Sequence, residues 1–397
     1  MRVSTLSFSQ NFNLQLGRQQ SGLLNTQQQV ASGERFMRPS QDPVAATRAL
    51  ELQQSIDATG QYAVNADRAR GRLALAESAV RTVGDNLQRV RELAVEAANG
   101  AASAESRALI AIEVRQRLEG LLTLANQQEP NGQYLFAGFS TQTRPFAPTP
   151  GGIQYNGDQG QRLLQIGPNR YVADGDPGSR VFQMARNGDG VMTVGVGSSN
   201  VGTAVVGGRG LADPAQWDGG TYQVVFTAPD AYEVRDAGNA VIATGAYVSG
   251  GSILFRGVKL EVSGTPVAGD SFSVGPSALQ DIFTTVQQFA DALLIGGNAG
   301  TERARFQNAI NRSLNDLDQA IGSVLEVRAE IGGRLQAIDE QQRVNTDVDV
   351  ELKTLLSSVK DLDYAEALTR LNQQLVGLQA SQQSYARLQG LSLFNFL

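Results

Sequence analysis

Two long heptad series stand on either side of the chain's middle, and they constrain the fold more than any other feature. The first places Leu52, Thr59, Ala66, Leu73, Val80, Leu87 and Ala94 at one seam position, with Tyr62, Ala69, Ala76, Val83, Val90 and Ala97 at a second. The other runs through Ile310, Leu317, Val324, Ile331, Ile338, Asn345, Leu352 and Val359, assisted by Leu314, Ile321, Leu335 and Leu356. Residues seven apart return to the same side of a helix after two turns, so each series predicts a helix packed along a continuous apolar seam. At ~1.5 Å per residue both helices reach roughly 80 to 90 Å, matched lengths that the chain order lets lie antiparallel. The polar Asn345 at a seam position costs stability and fixes register.

Local signals bound these helices. Asp42 can cap the first and Pro43 suits its first turn, where a missing N–H costs nothing, while Asn99-Gly100 marks its end. A second helix is expected over residues 103–128, with Ile110, Val114, Leu118, Leu121 and Ala125 on one face, and Asn131-Gly132 then reads as a hairpin turn. Leu279, Ile282, Val286, Phe289 and Leu293 mark a shorter helix, broken by glycines at 296–300. Between the helices the chemistry changes. Residues 141–280 hold 25 of the 43 glycines, and no proline falls between positions 44 and 129 or beyond 276, so long helices flank a turn-rich middle. There Tyr222, Val224 and Phe226, and Val258, Leu260 and Val262, alternate with smaller or polar residues as half-buried strands do. The fold class this predicts is mainly α: a long antiparallel helical coiled-coil rod formed by both ends of the chain, with an inserted all-β domain. Residues 41–145 with 277–360 form the rod and its β-hairpin, residues 146–276 a removable β insert, and residues 1–40 with 361–397 a separate pair of terminal helices.

Composition removes most chemistry. Histidine and cysteine are absent, so the commonest general bases, metal ligands and thiol nucleophiles are missing. No enzyme, metal or cofactor is expected. Ser357-Ser358-Val359-Lys360 fits the S-x-x-K pattern, but Val359 lies in the heptad seam and the companion motifs are absent. The Gly195–Asn200 stretch lacks the last glycine of a dinucleotide fingerprint, and Asp174-Gly175-Asp176 and Asn187-Gly188-Asp189-Gly190 lack the ligand ladder of a calcium loop and read as turns. Arg68, Arg70 and Arg72 read as a solvated helix face. With 33 basic against 39 acidic residues there is no basic footprint for nucleic acid, and no apolar run reaches the ~18 residues of a membrane span. Residues 1–20 lack the apolar core of a Sec signal, so no cleaved signal is expected.

The chain's two ends carry the functional signal. Past residues 361–363 the heptad phase shifts to Tyr364, Leu371, Leu378 and Tyr385, with Leu368 and Leu375 between, which predicts a joint. At the other end Leu16, Leu23 and Val30 are spaced by seven. Arg387 is the one charged side chain in residues 371–397, and Arg2 and Arg18 are the only ones in residues 1–30. Disordered tails are charged and poor in large apolar residues. These segments are neither, so they read as amphipathic helices whose apolar stripes await partners in an assembly. The expected interface is Leu16, Leu23, Val30, Tyr364, Leu368, Leu371, Leu375, Leu378 and Tyr385.

Residues 32–47 (SGERFMRPSQDPVAAT) and 91–107 (RELAVEAANGAASAESR) resemble the N-terminal region of flagellins and their relatives. Residues 131–146 (NGQYLFAGFSTQTRPF) separate those relatives: flagellins share the NG turn, whereas the YLFAG and PF continuation resembles the hook-associated protein 3 family of hook–filament junction proteins. Residues 363–397, ending in SLFNFL, are similar too, and GDSFSV at 269–274 resembles a segment recurring in hook-associated proteins. Gln41 stands where relatives often carry an acidic residue. The resemblance implies a structural adaptor that self-associates in a helical ring and joins hook-associated protein 1 on the hook side to flagellin on the filament side. It further implies export by the flagellar type III apparatus, an export chaperone at the C-terminal helix, an extracellular place in the bacterial flagellum, and terminal helices packed into an inner tube. A flagellin filament subunit is the nearest alternative, and a secreted carbohydrate-binding or hydrolytic β domain on a coiled-coil stalk a remoter one.

Overall fold

A computed structural model of the chain describes residues 5–99, 103–297 and 299–394. Arg2, the helix stop at Gly100 and the last three residues of the SLFNFL ending lie outside the described residues. Helices α1 (Thr5–Ser32), α2 (Pro43–Ala98) and α3 (Ala104–Ala125) precede a β-rich middle holding the short helix α4 (Gly178–Phe182). Helices α5 (Ile282–Ala292), α6 (Gly300–Lys360) and α7 (Tyr364–Phe394) follow it. The architecture is therefore mixed, helical at both ends with an inserted antiparallel β region. Helix starts follow the local chemistry. Asp42 accepts from the Ala45 N–H at 3.0 Å and Ser103 from the Ser106 N–H at 3.1 Å, each satisfying a donor that the first helical turn leaves free. The shorter helix starts later than its apolar period suggests. Asp281 caps it by accepting from the Thr284 N–H at 2.7 Å, and Leu279, expected on its buried face, is exposed in a two-residue strand paired with Ala185–Arg186.

Contacts divide the chain into two units, Met1–Val64 with Gln341–Leu397, and Asn65–Glu340. In the central unit, ion pairs Arg70–Asp339, Glu77–Arg328 and Arg91–Asp318 join α2 to α6 in opposite chain order, so the helices run antiparallel. These pairs are partly exposed and worth little in stability, but they report register. The heptad residues Leu73, Val80, Leu87 and Ala94 of α2, and Ile310, Leu317, Val324, Ile331 and Ile338 of α6, are buried in one core. The heptads predict a coiled-coil rod, and the core they enter takes in more than these two helices. Ile110, Val114 and Leu121 of α3 and Val286 and Phe289 of α5 enter the same core, because the small side chains at α2's seam, such as Ala66, Ala69 and Ala76, leave room for further elements.

The expected insert at 146–276 also divides. Hairpins Phe146–Thr149 with Gly152–Tyr155 and Leu163–Gly167 with Arg170–Ala173 precede α4, and Phe146, Ile166, Val172, Val181 and Phe182 are buried in the helical core. A second core belongs to the strands beyond residue 191. One sheet has the order Val241–Ala246, Ala231–Asp236, Tyr222–Ala228, Ser271–Pro276, Met192–Val196; the other has Ser252–Phe255, Val258–Ser263, Val205–Leu211, and every pairing is antiparallel. As the alternation predicts, Tyr222, Val224, Phe226, Val258, Leu260 and Val262 face this core. Asn239 takes the left-handed conformation that closes the hairpin after Ala231–Asp236.

Candidate assembly surface

The terminal unit brings the expected interface residues onto two facing helices. α1 packs against α7 in antiparallel fashion: Phe12 stacks on Tyr385 with ring centroids 4.3 Å apart, and Gly33 lies beneath the Tyr364 hydroxyl. Leu16, Leu23 and Val30 on α1 and Leu371, Leu378 and Tyr385 on α7 are half-buried, whereas Tyr364, Leu368 and Leu375 are exposed. The two helices cover each other along one side only. Leu14, Leu24 and Val376 remain 64%, 58% and 65% exposed, which leaves apolar surface open beside the covered stripe.

The phase shift at 361–363 corresponds to a real break between α6 and α7, held by backbone pairing. Arg35 N–H donates to Lys360 C=O at 2.8 Å and Leu362 N–H to Gly33 C=O at 2.9 Å, with Lys360 and Glu34 ion-paired at 2.9 Å. Gly33 ends α1 at φ +74°, a conformation that suits glycine, and a β-carbon there would press on the Tyr364 hydroxyl. Ser357 and Lys360, the residues of the S-x-x-K pattern, bond instead to Asp361 and Glu34. At the predicted polar seam position, Asn345 is buried and accepts from Gln341 Nε2 at 2.8 Å.

Leu135, Phe136, Ala137 and Phe146 of the 131–146 stretch prove to be core. Phe136 and Phe146, from the YLFAG and PF stretches, form an aromatic cluster with Phe182 and Phe283, at centroid separations of 5.2 to 5.6 Å. The Tyr155 hydroxyl is pushed up to about 12 by burial; it donates to Asp158 C=O at 2.7 Å and accepts from Gly178 N–H at 3.2 Å. Gly138 has φ +68° and lies against Asp158, where a side chain would collide. Asp158 accepts from Phe139 and Gly160 N–H and from the Ser140 hydroxyl, and these bonds hold its carboxyl below the usual range.

Charged residues, too, depart from their expected places. Arg72 is buried, not solvated: it pairs with Glu129 and donates to the Leu135 carbonyl at 3.2 Å, tying α2 to the NG turn. Its neighbours Arg68 and Arg70 share its residue type, and only the position of Arg72 beside the seam residue Leu73 hinted at burial. Asp174 and Asp176 are also buried, paired with Arg162 and Arg334, so this calcium-loop-like stretch is an ion-pair site. Among the described residues, no helix is long and apolar enough to cross a membrane.

Helical ends with a β region between them and a half-covered terminal helix pair define a flagellin-like class. Residues 3–141 match the bacterial flagellin N-terminal helical region and residues 314–397 its C-terminal helical region. The flagellar hook-associated protein 3 of Salmonella typhimurium is 25% identical over 99% of both chains. Crystal structures of Xanthomonas campestris FlgL (37% identical, TM-score 0.73, covering 77% of this chain and 99% of that one) and of the flagellar junction protein FlgL from Legionella pneumophila (28%, 0.72, 80% and 100%) share the fold. The chain belongs to the flagellar hook-associated protein 3 (FlgL) family. Among flagellins, the phase 1 flagellin of Salmonella naestved is 32% identical over 33% of this chain.

Proposed function

We propose that this chain is a structural subunit of the hook–filament junction, joining the hook through hook-associated protein 1 to the flagellin filament. The single observation that carries this is the full-length likeness to a flagellar hook-associated protein 3, where a flagellin such as the phase 1 flagellin of Salmonella naestved aligns over 33% of the chain. Copies associate in a helical ring through repeated heterologous contacts. α1 and α7 line the inner tube of that ring, their remaining exposed apolar residues covered by neighbouring subunits. α2 and α6 supply the rod, and the β region lies outside the tube. The subunit reaches the cell exterior through the flagellar type III apparatus, escorted by a chaperone on α7, and its role is geometric, with no catalysis.

The test is a strain lacking the protein, complemented with the full chain and labelled by antibody along isolated flagella. A single labelled zone at the hook–filament boundary, and hooks without filaments in the uncomplemented strain, are the expected results. Label along the whole filament would instead make the chain a filament flagellin.

A further inference from the structure

We propose that α6 stands in for an outer strand of the β region, clasping one of its edges so that the region moves as one piece with the helix and this edge cannot pair with a second copy of the chain. Strand Val205–Leu211 is the outer member of its three-stranded sheet, paired on one side with Val258–Ser263. Val206 stands opposite Val262, whose own N–H turns away to Gly251 C=O, so the N–H and C=O of Val206 face outward. Both meet α6. The buried Asn308 accepts from Val206 N–H at 2.9 Å and donates to Ala204 C=O at 3.0 Å, the pattern that a residue of a parallel strand makes with its neighbour. Asn311 donates to Val206 C=O at 2.8 Å. Further along α6, Arg305 donates to Asn200 C=O at 2.9 Å and Asp316 accepts from Gly188 N–H at 2.6 Å.

An open strand edge is a template for another chain, and proteins usually guard it with charge or proline. This strand, VVGGRGL, has Arg209 as its one charge and no proline. The helix amides provide the guard that its own sequence lacks. A β region that merely hung from two linkers would not need its edge bonds met by side chains of α6.

Hydrogen exchange of the peptide containing Val206, in the dilute full-length chain, tests the clasp. Asn308→Leu removes both bonds while keeping volume. It should speed Val206 exchange roughly tenfold or more. Val224 and Val274, central in the other sheet, should keep their protection, and sedimentation should show association that grows with concentration. Asn311→Ala removes only the outer bond and should give a smaller acceleration, which serves if Asn308→Leu does not fold. Unchanged Val206 exchange in a folded variant would overturn the clasp. Faster exchange without any association would overturn its edge-guarding role.

Discussion

The terminal and central units draw on the same seven-residue repeat, yet they treat their apolar side chains differently. In the central unit Leu73, Val80, Leu87, Leu317 and Val324 are buried, because α3, α5 and two hairpins close over the α2–α6 seam. In the terminal unit Leu16, Leu23, Leu371 and Leu378 are half-covered, and Leu14, Leu24 and Val376 stand open. A heptad states that a stripe will be buried and not by what. Where the chain supplies third and fourth elements the stripe becomes a core, and where it supplies only one facing helix the rest of the stripe stays exposed.

Deletions should break this comparison most visibly. Ser277 N–H donates to Val191 C=O at 3.0 Å, so the two ends of the outer β region meet and residues 192–276 can be spliced out with a short linker. Circular dichroism should then show a cooperative helical melt. Removing residues 147–276 instead strips Ile166, Val172, Val181 and Phe182 from the helical core, and should abolish that melt. If both deletions melt alike, the hairpins are not part of the core.

Point changes follow in order of size. Leu87→Ala, at a fully buried seam position, should cost about 3 kcal/mol in denaturant unfolding, whereas Leu16→Ala should cost less than about 1 kcal/mol because its site is already half-solvated. Arg72→Met should cost about 3 kcal/mol, since Glu129 and the Leu135 carbonyl lose a buried partner. Asp158→Ala should cost at most about 1 kcal/mol at neutral pH, its partners being close to solvent. Its effect also has a pH signature. The Asp158 carboxyl titrates lower in the fold than unfolded, so its contribution is present above the unfolded value of about 4 and is lost as pH falls through the folded one. Chemical unfolding of wild type and variant at neutral pH and near pH 2 should therefore converge at the acid end.

Much of this was legible in residue spacing. Periodicity located α2, α6 and the joint at 361–363, and alternation located the strands around Tyr222 and Val258, because burial on one side leaves a period in the sequence. What spacing could not carry was which core a side chain joins. Phe146 and Phe182 lie in glycine-rich sequence and look like insert residues, yet they pack with Phe136 and Phe283 across long stretches of chain. Arg72 was hidden for the same reason: its partner Glu129 lies beyond a whole further helix, and a lone arginine on a helix gives no sign of such a partner. The terminal stripe stood out in the sequence by its missing charges, and α1 and α7 do pack against each other. The extent to which α1 covers α7 within the one chain was not legible, since heptads on both ends fit a neighbouring subunit equally well.

The central claim is that the exposed side of α7 is an assembly element, and Leu375→Asp tests it most directly. Leu375 is 37% exposed, so the change should move unfolding of the isolated chain by less than about 1 kcal/mol. In an apolar contact between subunits the same carboxylate should cost several kcal/mol. Electron microscopy of cells in which the variant is shown to be exported should reveal hooks without filaments, with flagellin released into the medium. Filaments of normal length on cells exporting the variant would contradict the account.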